Sequence, residues 1–201
     1  MPQTVRFLAA LALSASIAPA FAATTTYTTQ ASFLANVAPG SYTNSFTGAV
    51  AAGPSFSYSG SGFGYTLTAG VGDVYLSGSI AGTNSPDETL TVTFTTGNVT
   101  AVGGNFFATN ISDVFQAQPL KLTLSDGTTT TYTPATLGAS YRGFVSTLPI
   151  TSLVMGLPAV GFYNTMDNLT VGVGVVPETS TWVLMALGMV GLAFARRQRA
   201  G

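Results

Sequence analysis

Leu120-Lys-Leu-Thr-Leu-Ser-Asp126-Gly127-Thr-Thr-Thr-Thr-Tyr-Thr133 holds the clearest strand and turn signals in the chain. Leu120, Leu122 and Leu124 alternate with polar residues, the period of a strand with one buried face. Asp126-Gly127 then supplies residues that tolerate positive φ, as a tight primed turn requires, and a β-prone threonine-rich segment returns. The stretch predicts an antiparallel hairpin.

The same period extends outward from it. Phe63, Tyr65, Leu67 and Ala69 alternate in one run, and Leu90, Val92 and Phe94 in another. Val99 to Phe107 reads as a central strand interrupted at Gly103-Gly104 by a bulge. Tyr141 to Phe144, Ile150 to Met155, Gly161 to Asn164 and Met166 to Val173 complete the strand set. Ser77 to Glu88, rich in Gly, Ser, Asn and Pro, predicts an exposed loop. One short helix is expected at Gln30 to Val37, where Phe33, Leu34 and Val37 share a face and Pro39-Gly40 stops the run. Short strands with so little helix predict an all-β fold: an antiparallel two-sheet sandwich, jelly-roll-like, with one short N-terminal helix.

Composition narrows the chemistry. The chain has 201 residues, of which 6% are charged and 46% hydrophobic, with no cysteine and no histidine. Abundant Thr, Gly, Val, Phe and Tyr suit strands and turns rather than disorder. Between Ala23 and Val176 there are two basic residues (Lys121, Arg142) and six acidic ones (Asp73, Asp87, Glu88, Asp113, Asp126, Asp167). A mildly acidic body without a basic patch argues against a nucleic-acid partner. Without His or Cys, the usual general base, thiol nucleophiles and the Ser-His-Asp triad are excluded. A glycosidase-type carboxylate pair is the remaining route to hydrolysis, and the six carboxylates are scattered along the sequence. The expectation is a non-enzymatic body.

Both ends carry targeting patterns. Residues 1–22 have a basic Arg6, an apolar run from Phe7 to Ile17 and Ala20-Phe21-Ala22, the pattern of a cleaved secretory signal peptide. An uncleaved N-terminal anchor is the alternative, disfavoured by the short run and the cleavage pattern. At the other end, nothing from Thr179 to Ala195 is charged. Those residues make roughly 25 Å of helix at about 1.5 Å per residue, against a bilayer core of about 30 Å. A transmembrane helix over 180–195 is expected, with Trp182 at the interface and Arg196, Arg197 and Arg199 on the cytoplasmic side. A buried core helix has the same length, but the terminal position and the arginines speak against it. The expected organisation is a signal peptide (1–22), a sandwich ectodomain (23–175) and a C-terminal tail (176–201).

Pro177-Glu178, Trp182, a Gly-interrupted apolar run and the Arg196-Arg197 pair together resemble the PEP-CTERM sorting signal of exopolysaccharide-producing bacteria. Thr179 stands where that family usually has a second proline. The resemblance covers about 26 residues of tail and implies processing by exosortase, a membrane-embedded protease. It also implies residence at the cell surface or in an exopolysaccharide matrix. The body resembles, more loosely, the β-sandwich ectodomains often joined to such tails. That likeness rests on the opening β segment and helix, Ala101-Val-Gly-Gly-Asn-Phe106, the Asp-Gly hairpin, Arg142-Gly-Phe-Val-Ser and Met166-Asp-Asn-Leu-Thr-Val171. Sandwiches of this kind often hold a structural Ca²⁺ before the final strand, which makes Asp167 and Asn168 the calcium candidates; a self-bonded turn is the alternative. Seven tyrosines (Tyr27, Tyr42, Tyr58, Tyr75, Tyr132, Tyr141, Tyr163) could furnish a sugar-stacking platform, so a carbohydrate-binding module is the alternative function.

Overall fold

The computed structural model describes residues 23–156, 160–175 and 188–189. Strand β1 (Thr24–Tyr27) leads into helix α1 (Gln30–Leu34). Next come β2 (Tyr42–Asn44), β3 (Ala49–Gly53), β4 (Ser55–Gly60), β5 (Phe63–Ala69), β6 (Val74–Gly78), β7 (Ile80–Thr83), β8 (Leu90–Phe94) and β9 (Ala101–Thr109). The chain continues through β10 (Phe115–Gln116), β11 (Leu120–Leu124), β12 (Thr129–Tyr132), β13 (Tyr141–Ser146), β14 (Ser152–Gly156) and β15 (Tyr163–Gly172).

These strands form two antiparallel sheets. The larger, nine-stranded sheet runs β1-β13-β9-β15-β7-β6-β3, with β10 added beside β9 and β2 beside β15. The six-stranded sheet runs β12-β11-β14-β8-β5-β4. Alternation supplies one apolar face to each. Leu67, Val92, Leu122 and Met155 from the smaller sheet meet Leu76, Val102, Phe106 and Met166 from the larger in one buried cluster. Facing sheets of this kind make a β-sandwich-like core. Each fully buried Leu, Val or Phe contributes about 1.5–3 kcal/mol.

The hairpin of 120–133 is present, with a different turn from the one expected. Leu124 N–H donates to Thr128 O (2.9 Å) and Gly127 N–H to Leu124 O (3.0 Å). Only Gly127 of the Asp-Gly pair has positive φ, at +86°. Three residues therefore bridge the strands, and a type I turn closed by a left-handed glycine does so without forcing Asp126 into that region. Asp126 accepts instead, from Thr128 N–H (2.8 Å) and from the Thr24 hydroxyl (2.6 Å), tying the hairpin to β1.

Other expectations are corrected. Ser77 to Glu88 is not one exposed loop: Gly78-Ser79 makes a two-residue hairpin between β6 and β7, and Ala81, Gly82 and Thr83 are buried. Strand β9 runs unbroken through Gly103-Gly104. The irregularity opposite it lies in β15, where Asp167 pairs with Asn105 but Thr170 with Gly103, so β15 carries one extra residue. The two segments expected at 161–164 and 166–173 are one ten-residue strand. The helix ends at Leu34, which is 41% exposed, and Phe33 alone of its expected apolar face is fully buried.

That helix is only five residues long, and Phe33 fixes it. Thr29 caps it by accepting from Ser32 N–H (3.2 Å). The Phe33 ring lies on the outer face of the large sheet over Gly143 and Gly103, cross-strand neighbours in β13 and β9. Tyr27 and Tyr141 flank it at ring-centre distances of 6.3 and 6.0 Å. A side chain at either glycine would occupy the place of the ring.

The segment after β15 is folded onto the body. Gly174 bridges to Val37, Gly174 N–H donates to the Thr100 hydroxyl (2.8 Å), and Val175 N–H donates to Asn36 O (2.9 Å). The signal peptide 1–22 lies outside the described residues. So does the tail, apart from Gly188 and Met189. No helix among the described residues is long and apolar enough to cross a membrane.

Candidate functional site

The calcium candidates form a β-bulge. Asn168 is the extra residue of β15 and sits at φ +52°, a conformation that Asn tolerates better than most residues. Its backbone N–H donates to Asp167 Oδ1 (2.6 Å) and its side-chain amide to Asp167 Oδ2 (2.9 Å). Burial pushes the Asp167 carboxyl above the usual carboxylate range, and the Asn168 N–H only partly offsets that. Calcium takes six to eight oxygens. Here one carboxylate is on offer, both its oxygens already accept from Asn168, and no group of three acidic residues gathers among the described residues.

Most of the other carboxylates also tie loops. Asp87 accepts from Gly161 N–H (2.6 Å) and Glu88 from Gly72 N–H (3.0 Å). At Asp126, burial opposes ionisation, but the bonds from Thr24 and Thr128 outweigh it and hold the carboxyl below its ordinary value.

The tyrosines fall in separate places. Tyr141 is buried beside Phe33 on the outer face of the large sheet, and Tyr132 packs against the core between the sheets. The Tyr132 hydroxyl reaches from the small sheet to the Phe106 carbonyl of the large one (2.8 Å), with the Ser140 carbonyl 3.0 Å away. Arg142 lies over the same ring, its guanidinium carbon 3.6 Å from the ring centre, and donates to the Tyr141 carbonyl (2.6 Å). Burial pushes the Tyr132 phenol up, against the pull of Arg142. Tyr42, Tyr58 and Tyr65 stack as an aromatic column, with Tyr65 capped by the Asn44 amide (3.0 Å).

Tyr75 and Tyr163 are different, because they line a groove of about 290 Å³. Register explains how it forms. Tyr75 pairs with Gly82, Gly82 with Thr165, and Tyr163 with Thr109, so these residues share the outer face of the large sheet. Gly82 has no side chain to fill the trough between Tyr75 and Thr165. The floor holds a buried hydroxyl pair, Thr109 and Thr165 at 2.8 Å. The loop from β9 to β10 overhangs one side. Asn110 braces that loop by accepting from Ser112 N–H (2.9 Å) and Val114 N–H (3.1 Å). Ile111 is held 84% exposed at its apex, and Asp113 takes a long bond from the Tyr75 hydroxyl (3.4 Å).

Sequence reasoning flagged Tyr75 and Tyr163 only as members of a list of tyrosines. Thr109 and Thr165 join the groove only through strand register, and Ile80, Gly82, Thr83 and Asn84 escaped that reasoning because 77–88 was assigned to a loop. The Gly78-Ser79 pair, a known two-residue hairpin signal, could have found them. Pro177, Glu178, Trp182, Arg196 and Arg197 lie outside the described residues. Comparison with protein-family models, with curated proteins and with solved structures finds no match to this chain.

Proposed function

We propose that the protein is an exported, non-enzymatic surface protein: a jelly-roll-like sandwich body (23–175) followed by a PEP-CTERM-type tail (176–201). In this reading the tail holds the chain in the membrane through 180–195, with its C-terminus cytoplasmic. Exosortase then processes it, and the body comes to reside at the cell surface or in an exopolysaccharide matrix. The observation that carries the reading is the order of parts in the tail: Pro177-Glu178, Trp182, an uncharged apolar run and Arg196-Arg197, directly after the strand-rich body.

The non-enzymatic part is supported by the carboxylates, four of which accept from backbone N–H groups: three in separate loops or turns and one in the β15 bulge. A hydrolase would need two of them facing each other across a cleft at roughly 5–10 Å.

Deleting Pro177 to Gly201 tests the tail in the native host. The truncated protein is expected in the soluble extracellular fraction, and the full-length chain in membranes and as a shortened surface form. A truncated protein that still fractionates with the membrane, or a full-length chain unaltered by loss of exosortase, refutes the assignment.

A further inference from the structure

We propose that the groove on the outer face of the large sheet binds a neutral saccharide unit. The proposal is independent of the tail, and its failure would leave the sorting assignment untouched.

Shape comes first. At about 290 Å³ the groove is at the small end of ligand pockets, which run to about 300–1,000 Å³. It suits one or two sugar rings rather than a large cofactor. Its walls are amphipathic. Tyr75 and Tyr163 each present an aromatic ring with a polar tip, and Ile80 and Ile111 add aliphatic surface. A pyranose has matching chemistry, with C–H groups on its faces and hydroxyls around its rim.

The polar groups suit hydroxyls too. Thr109 and Thr165 share one hydrogen bond between their two hydroxyls. The second hydroxyl hydrogen has a long contact, Thr165 Oγ1 to the Tyr163 carbonyl at 3.5 Å, and lone pairs on the two oxygens remain for a sugar hydroxyl to donate to. Asn84 stands exposed at the rim with an amide that both donates and accepts.

Charge then narrows the class. Among the described residues, the lining holds one carboxylate, Asp113, and no cationic side chain. The two basic residues between Ala23 and Val176 are elsewhere, Lys121 on β11 of the small sheet and Arg142 over Tyr132. An acidic sugar or a phosphate would meet a like charge and no counter-ion. A cation would find a single exposed carboxylate already engaged by Tyr75.

The loop adds a separate observation. Three hydrogen bonds on Asn110 and one from Asp113 N–H to Asn110 O (3.0 Å) rigidify five residues whose apex, Ile111, faces solvent. A large aliphatic side chain held rigidly in water beside a groove has no role in the core. Contact with a ligand lying in the groove gives it one.

The test uses full-length, isotope-labelled protein in a detergent without a sugar head group, titrated with maltose, cellobiose and lactose. Glucuronic acid and tetramethylammonium serve as the anionic and cationic probes. At least one neutral disaccharide should shift the backbone amides of Gly82, Thr109 and Thr165, leaving those of Leu122 and Val154 on the small sheet in place. Glucuronic acid should not, and Asp113→Asn should narrow that difference. Tyr163→Ala should weaken binding about tenfold, the loss expected for removing one stacked aromatic. Tyr75→Phe keeps the ring and should weaken it less. Silence from all three disaccharides at millimolar concentration overturns the proposal, as do shifts outside the groove or a response to tetramethylammonium alone. Unchanged affinity in a folded Tyr163→Ala protein also overturns it.

Discussion

Replacing Gly143 by alanine tests how α1 is held. A Cβ built at Gly143 would stand 2.5 Å from Phe33 Cδ2, 2.6 Å from Cγ and 2.9 Å from Cβ, where ordinary contact begins at 3.4 Å. Two of those atoms are close to the Phe33 backbone, so the ring cannot swing clear by a χ2 rotation. The helix must lift by nearly 1 Å, which also opens the contact with Gly103. Overpacking of this kind costs about 1–3 kcal/mol. For a domain of this size that is a fall in Tm of about 2–12 °C, at roughly 2–4 °C per kcal/mol. Phe33→Ala, which empties the site, should cost about 3–5 kcal/mol. The double variant decides the reasoning, because the new methyl then sits in space the ring has left. Its cost should fall short of the sum of the singles by about 0.5–3 kcal/mol. Urea unfolding of the 23–175 segment, followed by tyrosine fluorescence, measures all three. Gly138→Ala is the control, since its Cβ would meet only Thr136 Oγ1 at 3.9 Å. Strict additivity, or a Gly143→Ala protein as stable as the parent, would refute the account.

Three further substitutions have expected outcomes. Tyr132→Phe removes the hydroxyl that links the sheets and leaves the Phe106 carbonyl without it; a loss of about 1–3 kcal/mol is expected in the same unfolding assay. At Asp167 the folded carboxyl titrates above the ordinary 3.8, so the folded state binds more protons than the unfolded one, and stability falls as pH rises from about 3.8 through the folded value. Asp167→Asn should flatten that slope. Asp126→Asn should act below 3.8 instead, because its lowered carboxyl contributes stability that is lost as pH falls. Melting curves across pH 3 to 6 separate the two windows.

How far the sequence spoke depended on whether the signal was local. The runs at 63–69, 90–94 and 120–124 were legible because alternation is written in the residues themselves, and the two-sheet class followed from them. Of the edge strands, β3 was not legible: Ala49–Gly53 is made of small residues with weak alternation, and pairing with β6 makes it a strand. Strand β4 was written in the sequence but not expected, since Phe56 and Tyr58 alternate with serines across Ser55–Gly60. Gly103-Gly104 did mark an irregularity, but sequence could not say on which strand the extra residue would fall. The lack of a side chain at Gly103 and Gly104 admits Phe33 on one face and the bulge of β15 on the other. The groove stayed hidden for a related reason. Tyr75, Gly82, Thr165 and Thr109 come from four strands spread over 90 positions, and only the register assembles them.

Strand β15 has the groove at its first residue, Tyr163, and the exit toward the tail just beyond its last, Gly172. At about 3.3 Å per residue those ends are roughly 30 Å apart. In the proposed arrangement, a body tethered through the chain after Val175 would carry the groove near the end of β15 remote from the tether. One strand would then set the distance between attachment and recognition.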